Sequence, residues 1–409
     1  MTTTQISFAV KKEKIAENGD YNLTGDCYRE TVDYSNAKWP MVELGEVCEI
    51  YNGSTPKRTE KEYWENGTIP WFTIEDIREQ GRIIKYTKQT ITESGYKNSS
   101  VKLLPKNSVL LCCTASIGEF AFSEIELTTN QQFNGLVVKE EFKNQLNPKF
   151  LFQVASKFKS ELERLSGKTS FGFVSVGTLK QIKIPLPPLP VQEQIVAEIE
   201  QYQKVIDGAK QVVENWKPSF RIDPSWEMVE LGEVGKVSMC KRIFKEETTN
   251  EGDIPFYKIG TFGKNPDAFI KKEQFEEYRS KFSYPKKGEI LISTSGTIGK
   301  TVIFDGEPAY FQDSNIVWIE NDEKKVLNSY LNLIYQTINW LPATGVTIAR
   351  LYNKIIEETK IIVPSLSVQE QIVAEIEAEQ RVVNTNKELM EKMQKKIEVK
   401  IGEVWGEEM

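Results

Sequence analysis

The chain has 409 residues, a net charge of −7 and no histidine. That length exceeds one ordinary core, so two domains are expected, and 39% hydrophobic with 27% charged residues describes a soluble globular protein. The missing histidine excludes Ser-His-Asp and Cys-His catalysis, His-ligated metals and imidazole proton shuttles. No apolar run approaches the ~18 residues of a membrane helix, and the N-terminus lacks the apolar core of a secretory signal. The five cysteines show no CxxC pair and read as reduced thiols of a cytoplasmic protein.

Residues 1–38 form an N-terminal extension to which no role is assigned. Residues 39–190 are the first domain. It opens on a Trp-led strand signal, "WPMVELGEVCEIYNG", and continues through short β-rich runs such as "SVLLCC" between Gly, Pro and Asn turns. A helical stretch, "PKFLFQVASKFKSELERL", comes late, and the proline run "IPLPPLP" reads as a rigid connector. Residues 191–217 predict a central helix. There Ile199, Ile206 and Val213 are seven apart, as are Tyr202, Ala209 and Trp216, which is an a/d seam. Residues 218–367 repeat the first layout, with "WEMVELGEVGKVSM" at the start and "NSYLNLIYQTINWL" late. Residues 368–409 predict a distal helix with Ile376, Val383, Met390, Ile397 and Val404 in a strict seven-residue series. Neither helix can bury its stripe alone, so the two are expected to pack on each other.

The halves are copies. "MVELGEV" stands at 41–47 and again at 228–234, and "VQEQIVAEIE" at 191–200 and again at 368–377. "LPKNSVLLCCTASIG" answers "YPKKGEILISTSGTIG". Plain duplication does not explain why the decapeptide is identical while most of the sequence before it has diverged. The expected fold is mixed α+β or α/β: two similar domains joined by two long helices packed as an antiparallel coiled coil, with a pseudo-twofold internal duplication.

The negative charge is unevenly spread. Residues 39–190 carry 19 basic against 17 acidic side chains, and 217–367 carry 20 against 21, so each domain is near neutral with room for local basic patches. Candidate DNA contacts, chosen for basic residues near aromatics or in Ser/Gly turns, are Lys57, Arg58, Arg82, Lys85, Tyr86, Lys88, Ser116 and Lys168 in the first domain. In the second they are Lys241, Arg242, Lys245, Lys271, Lys272, Ser295 and Lys300. Ordinary solvated surface is an equally good reading of any one of them. "STSGTIGKT" at 293–301 imitates a phosphate loop, but Thr294 stands where the leading glycine belongs and Glu119 replaces the lysine in the other copy. A Ser/Gly/Lys turn that approaches a DNA phosphate is the preferred reading.

The order of strand block, variable domain, "PLPPLPVQEQIVAEIE" and long helix, given twice over 39–409, resembles the specificity subunit of type I restriction–modification systems. The resemblance implies that the variable stretches are target recognition domains, each reading half of a split, asymmetric site in double-stranded DNA. It implies that the repeated blocks dock two methylase subunits, through Gln192, Glu193 and Gln194 and through Gln369, Glu370 and Gln371, and that restriction subunits join that core. This chain would then be a non-catalytic subunit with no cofactor of its own and no membrane partner. S-adenosylmethionine for adenine-N6 methylation, ATP and Mg would sit on the partners. Two rivals remain: a recognition subunit of a related methylase or nuclease system outside type I, and a tandem-repeat scaffold that binds only protein. A nucleotide-dependent enzyme rests on the imperfect loop alone.

Overall fold

A computed structural model describes residues 37–165, 173–340 and 350–407. The extension up to residue 36 and the candidate Lys168 lie outside the described residues. Two compact units result. The first takes the chain up to Gly208 together with the segment from Leu389 onward, and the second takes Ala209–Glu388.

The strands of the first unit are β1 (Met41–Glu43), β2 (Cys48–Asn52), β3 (Ile69–Phe72), β4 (Ile83–Ile84), β5 (Gln89–Ile91), β6 (Val109–Cys112), β7 (Phe120–Ser123), β8 (Thr128–Thr129), β9 (Phe133–Val138) and β10 (Lys183–Pro185). The main sheet has the order β2-β9-β6-β7-β4, antiparallel except where β4 runs parallel to β7. Its central strands are apolar on both faces, as "VLLC" in β6 shows, because a helical layer covers one side and the second sheet's core the other. That second sheet, β5-β3-β8, places β3 antiparallel to β5 and parallel to β8. The Trp-led block pairs through β1 with the proline strand β10.

Helices Pro148–Val154 and Phe158–Leu165 lay Phe150, Leu151, Phe158 and Leu162 against Leu111 and Leu136 of the main sheet. Each such fully buried side chain contributes roughly 1.5–3 kcal/mol. The first helix starts where it does because Asn147 accepts from the Lys149 N–H at 2.8 Å and Pro148 needs no backbone donor.

In the second unit the strands are β11 (Glu227–Glu230), β12 (Gly235–Ser238), β13 (Ile254–Tyr257), β14 (Phe269–Ile270), β15 (Ile290–Ser293), β16 (Thr301–Ile303), β17 (Tyr310–Phe311), β18 (Ile316–Asn321) and β19 (Lys360–Val363). The sheets are β12-β18-β15-β16 and β14-β13-β17, and β11 pairs with β19. β13 is antiparallel to β14 and parallel to β17. The ladder is thus the first unit's ladder again, without the edge strand β4. The late helical signal forms Asn328–Thr337, which buries Tyr330, Leu331 and Ile334.

The central helix spans Leu189–Asn215 and the distal helix Leu366–Trp405. Within the first unit they pack through Ile199, Ile397 and Ile401, with Ile195, Tyr202 and Ile206 at the margin. Lys400 reaches Glu198 at 2.9 Å and Lys396 lies over the Tyr202 ring at 5.2 Å. Rising numbers on one helix meet falling numbers on the other, so the packing there is antiparallel. The seven-residue series does not serve one seam throughout. Val404 enters the first unit's sheet core and Ile376 the second unit's, with Trp216 packed at the margin of the latter. Val383 is buried, and Val213 and Met390 are half-buried. The reason is geometric: near its ends each helix lies on a domain, and the stripe that faces a helix elsewhere faces a sheet there.

Candidate nucleic-acid interface

The repeated decapeptide divides into two kinds of residue. Gln192 and Gln369, expected at a docking surface, are both 0% exposed. The Gln192 Oε1 accepts from the Asn147 N–H at 2.9 Å, and its Nε2 donates to the Gln145 and Pro187 carbonyls at 2.7 Å each. Gln369 repeats this, accepting from the Leu327 N–H at 2.8 Å and donating to the Lys325 and Pro364 carbonyls at 2.9 and 2.8 Å. Each glutamine clamps the turn before its domain's helix to the start of a long helix, because an amide alone supplies one acceptor and two donors in one plane. These two residues are therefore structural, which corrects their assignment to docking. Glu193, Gln194 and Ala197 are exposed, and so are Glu370, Gln371 and Ala374.

In the first domain three loops converge. The loop leaving β2 passes so close to Asn130 that a Cβ on Gly53 would lie 1.9 Å from its carbonyl oxygen. Thr55 then bonds to Gln131 of the loop before β9. The Trp71 indole donates to the Ser54 carbonyl at 3.0 Å and the Trp64 indole to the Lys57 carbonyl at 3.3 Å. Arg58 lies against both rings, 3.7 Å from the Trp64 centroid and 4.5 Å from that of Trp71, and donates to Gln89 at 2.8 Å. Lys57 is exposed and pairs with Glu60 at 2.8 Å, whose hydrogen bond and charge raise its pKa.

The third loop carries Lys85, Tyr86 and Lys88, all exposed. It is held from below by Asp76, 1% exposed, which caps its own helix through the Thr73 N–H and accepts the Lys88 N–H, both at 2.7 Å. The Lys85 N–H donates to Gln80, and the Tyr86 hydroxyl donates to Glu79, a bond that raises the phenol's pKa. Arg82 stands 4.2 Å over the Phe120 ring, and Ser116 is half-buried in the β6–β7 turn. The structure joins Lys57, Arg58 and the Lys85–Lys88 loop through the Arg58–Gln89 bond. No described contact joins Arg82 or Ser116 to that group.

The second domain uses the same pair of loops with different chemistry. Where Thr55 meets Gln131 in the first, Arg242 grips Asp313 through Nε and Nη2 at 2.8 Å each. Lys241 lies over the Phe282 ring at 5.3 Å, Lys245 is exposed, and Phe244 between them is 60% exposed. Lys271 and Lys272 are exposed at the start of helix Lys272–Lys281.

The phosphate-loop imitation is a hairpin turn. β15 and β16 are antiparallel neighbours, so a strand and not a helix follows Lys300. The Lys300 ammonium is bound to the Phe262 carbonyl, and Ser295 donates to Asn315 at 2.9 Å. A phosphate loop needs a helix to start directly after its lysine, and here a strand starts instead, so the loop lacks the geometry of a nucleotide site. Sequence patterns missed Trp71, Gln89, Gln131 and Asp313, which lie far along the chain from the residues they hold.

The type I restriction modification DNA specificity domain model matches twice, over residues 36–215 and 224–399. The chain belongs to the type I restriction–modification specificity subunits. It carries two recognition domains in tandem. A Haemophilus influenzae protein provisionally named a type I restriction enzyme specificity subunit is 46% identical over 259 residues, covering 59% of this chain and 67% of that protein. The MjaIX specificity subunit of Methanocaldococcus jannaschii is 26% identical over 393 residues, covering 86% and 89%. Among solved structures, one determined for complex assembly and conformational transition of a type I system aligns with a TM-score of 0.57 at 20% identity, over 90% of this specificity subunit and 98% of that chain. The S subunit of M. genitalium aligns with 0.51 at 14% identity, over 92% and 98%. No helix among the described residues of the subunit is long and apolar enough to cross a membrane.

Proposed function

We propose that this specificity subunit reads a bipartite, asymmetric site in double-stranded DNA. The domain at 39–190 reads one half-site and the domain at 218–367 the other. The long helices at 191–217 and 368–409 dock two methylase subunits and, through them, restriction subunits. The observation that carries the reading is a contrast in what the duplication preserved. The buried glutamine clamps account for part of the identical decapeptide. Glu193, Gln194 and Ala197 match Glu370, Gln371 and Ala374 although all are exposed, and no fold requirement keeps exposed side chains alike. Two like surfaces suit two copies of one partner, while the loops around Arg58 and Arg242 differ, as two different half-sites require.

The chain itself is proposed to be non-catalytic and cytoplasmic, with S-adenosylmethionine, ATP and Mg on the partners. Co-expression with its methylase partner and genome-wide mapping of methylated adenines tests the reading. A split motif whose one half changes when residues 39–190 are exchanged is expected. A continuous motif, or both halves changing together, would contradict it. Charge reversal at Glu193 and Glu370 should each remove one methylase from the complex, seen by native mass.

A further inference from the structure

We infer that Arg58 is a base-reading residue of the first domain and that its half-site contains a guanine read through the O6 and N7 edge. This rests on the DNA-recognition reading above and adds a base identity to it.

An arginine on a loop normally samples many rotamers, and fixing them opposes binding. Arg58 has already been fixed. Trp64 and Trp71 meet edge to face, 4.9 Å apart with their planes at 85°, and the guanidinium sits against both. Both indole N–H groups return to the carbonyls of Arg58's own loop, so rings and loop hold one another. Gln89 takes one N–H of Nη1. No carboxylate among the described residues pairs with the guanidinium; Arg58 is an exposed residue, although packing against the rings partly desolvates its head group and lowers its pKa. Arg242, by contrast, has its fork engaged by Asp313.

A planar guanidinium has five N–H donors, and the remaining ones keep a two-donor edge free. Guanine is the base that offers two adjacent major-groove acceptors to such an edge. A phosphate contact needs charge more than orientation, and lysine serves it as a point charge. The cage fixes the orientation of Arg58, and orientation is what base reading requires.

The methylation map first yields the two half-sites, and exchange of residues 39–190 assigns one to this domain. Duplexes with 7-deazaguanine at each guanine of that half-site, which removes the N7 acceptor, are then bound to the assembled complex. At one position the wild-type complex should bind about 5- to 150-fold more weakly. Arg58→Ala should lose a similar factor on the natural duplex and become indifferent to the replacement, and Arg58→Lys should not restore the discrimination. A half-site without guanine on either strand overturns the inference while leaving bipartite recognition intact. So does a wild-type complex indifferent to every 7-deazaguanine, an outcome that needs no variant to fold. A uniform loss in Arg58→Ala across sequences, with a shallower salt dependence, would make Arg58 a phosphate contact. Absence of any split motif would instead fail the functional reading itself.

Discussion

Replacing Gln192 tests the clamp that opens the central helix. Gln192→Ala strands three groups at once: the Asn147 N–H and the carbonyls of Gln145 and Pro187. A buried polar group left unpaired costs about 1–3 kcal/mol. Water can reach some of these groups once the side chain is gone, so the sum should fall near the low end, about 3–5 kcal/mol including the lost packing. Set against a typical total of about 5–15 kcal/mol, that is a large fraction. Urea titration should show an earlier transition, and hydrogen exchange at the Asn147 amide should quicken while that at Leu327 stays unchanged. Gln192→Glu is more discriminating, because the introduced carboxyl must face two carbonyl oxygens. That placement favours its neutral form and raises its folded pKa above the unfolded value of about 4.3. A raised folded pKa makes the native state relatively more stable at low pH. The penalty should therefore be greatest near neutrality and shrink as the medium is acidified toward pH 5. A cost under about 1 kcal/mol for Gln192→Ala, or a pH-independent cost for Gln192→Glu, would refute the clamp.

Gly208 lies within the central helix with open space where a Cβ would stand, so Gly208→Ala should stabilise by about 0.5–1 kcal/mol, read as a higher urea midpoint. Lys400's hydrogen bond holds Glu198 below the usual carboxylate range and raises Lys400 in turn. A depressed carboxylate stabilises above its unfolded pKa, so the difference between wild type and Glu198→Gln should be small, under about 1 kcal/mol for a partly exposed pair, begin to shrink as the pH drops below the unfolded value of about 4.3, and disappear as it falls through the lowered folded pKa. Burial pushes the thiols of Cys48 and Cys240 up to about 12. Both should resist iodoacetamide at pH 8 until urea unfolds the chain, as peptide mass mapping would show.

Much of the architecture was legible because duplication doubled every signal. The paired "LGEV" and "VQEQ" blocks bracket the two domains, and Ile199 with Ile397 marks a helical seam that the structure does close. The local patterns failed where a residue's partner is remote in sequence. Gln192 looks like a surface residue in a polar run, and only the approach of Asn147, 45 positions earlier, makes it a buried clamp. Lys57 and Arg58 were found beside Trp64, but Trp71 and Gln89, which complete the cage, come from other strands. The heptad series misled at Ile376 and Val404 because periodicity reports which face is apolar and says nothing about what covers it.

The first unit is discontinuous, and this gives the chain a timetable. The ribosome finishes the residues up to Gly208 and then makes some 180 more before Leu389 emerges. At about 5–20 residues per second, that interval lasts about 10–40 s. Throughout it Phe158 waits for Trp405, and the place of Val404 in the first core stands open. Lys157 likewise meets Glu407 only at the end. A chain stalled within the second unit would display that uncovered apolar surface to chaperones and proteases. Completion of the first unit thereby reports that the second has already been synthesised.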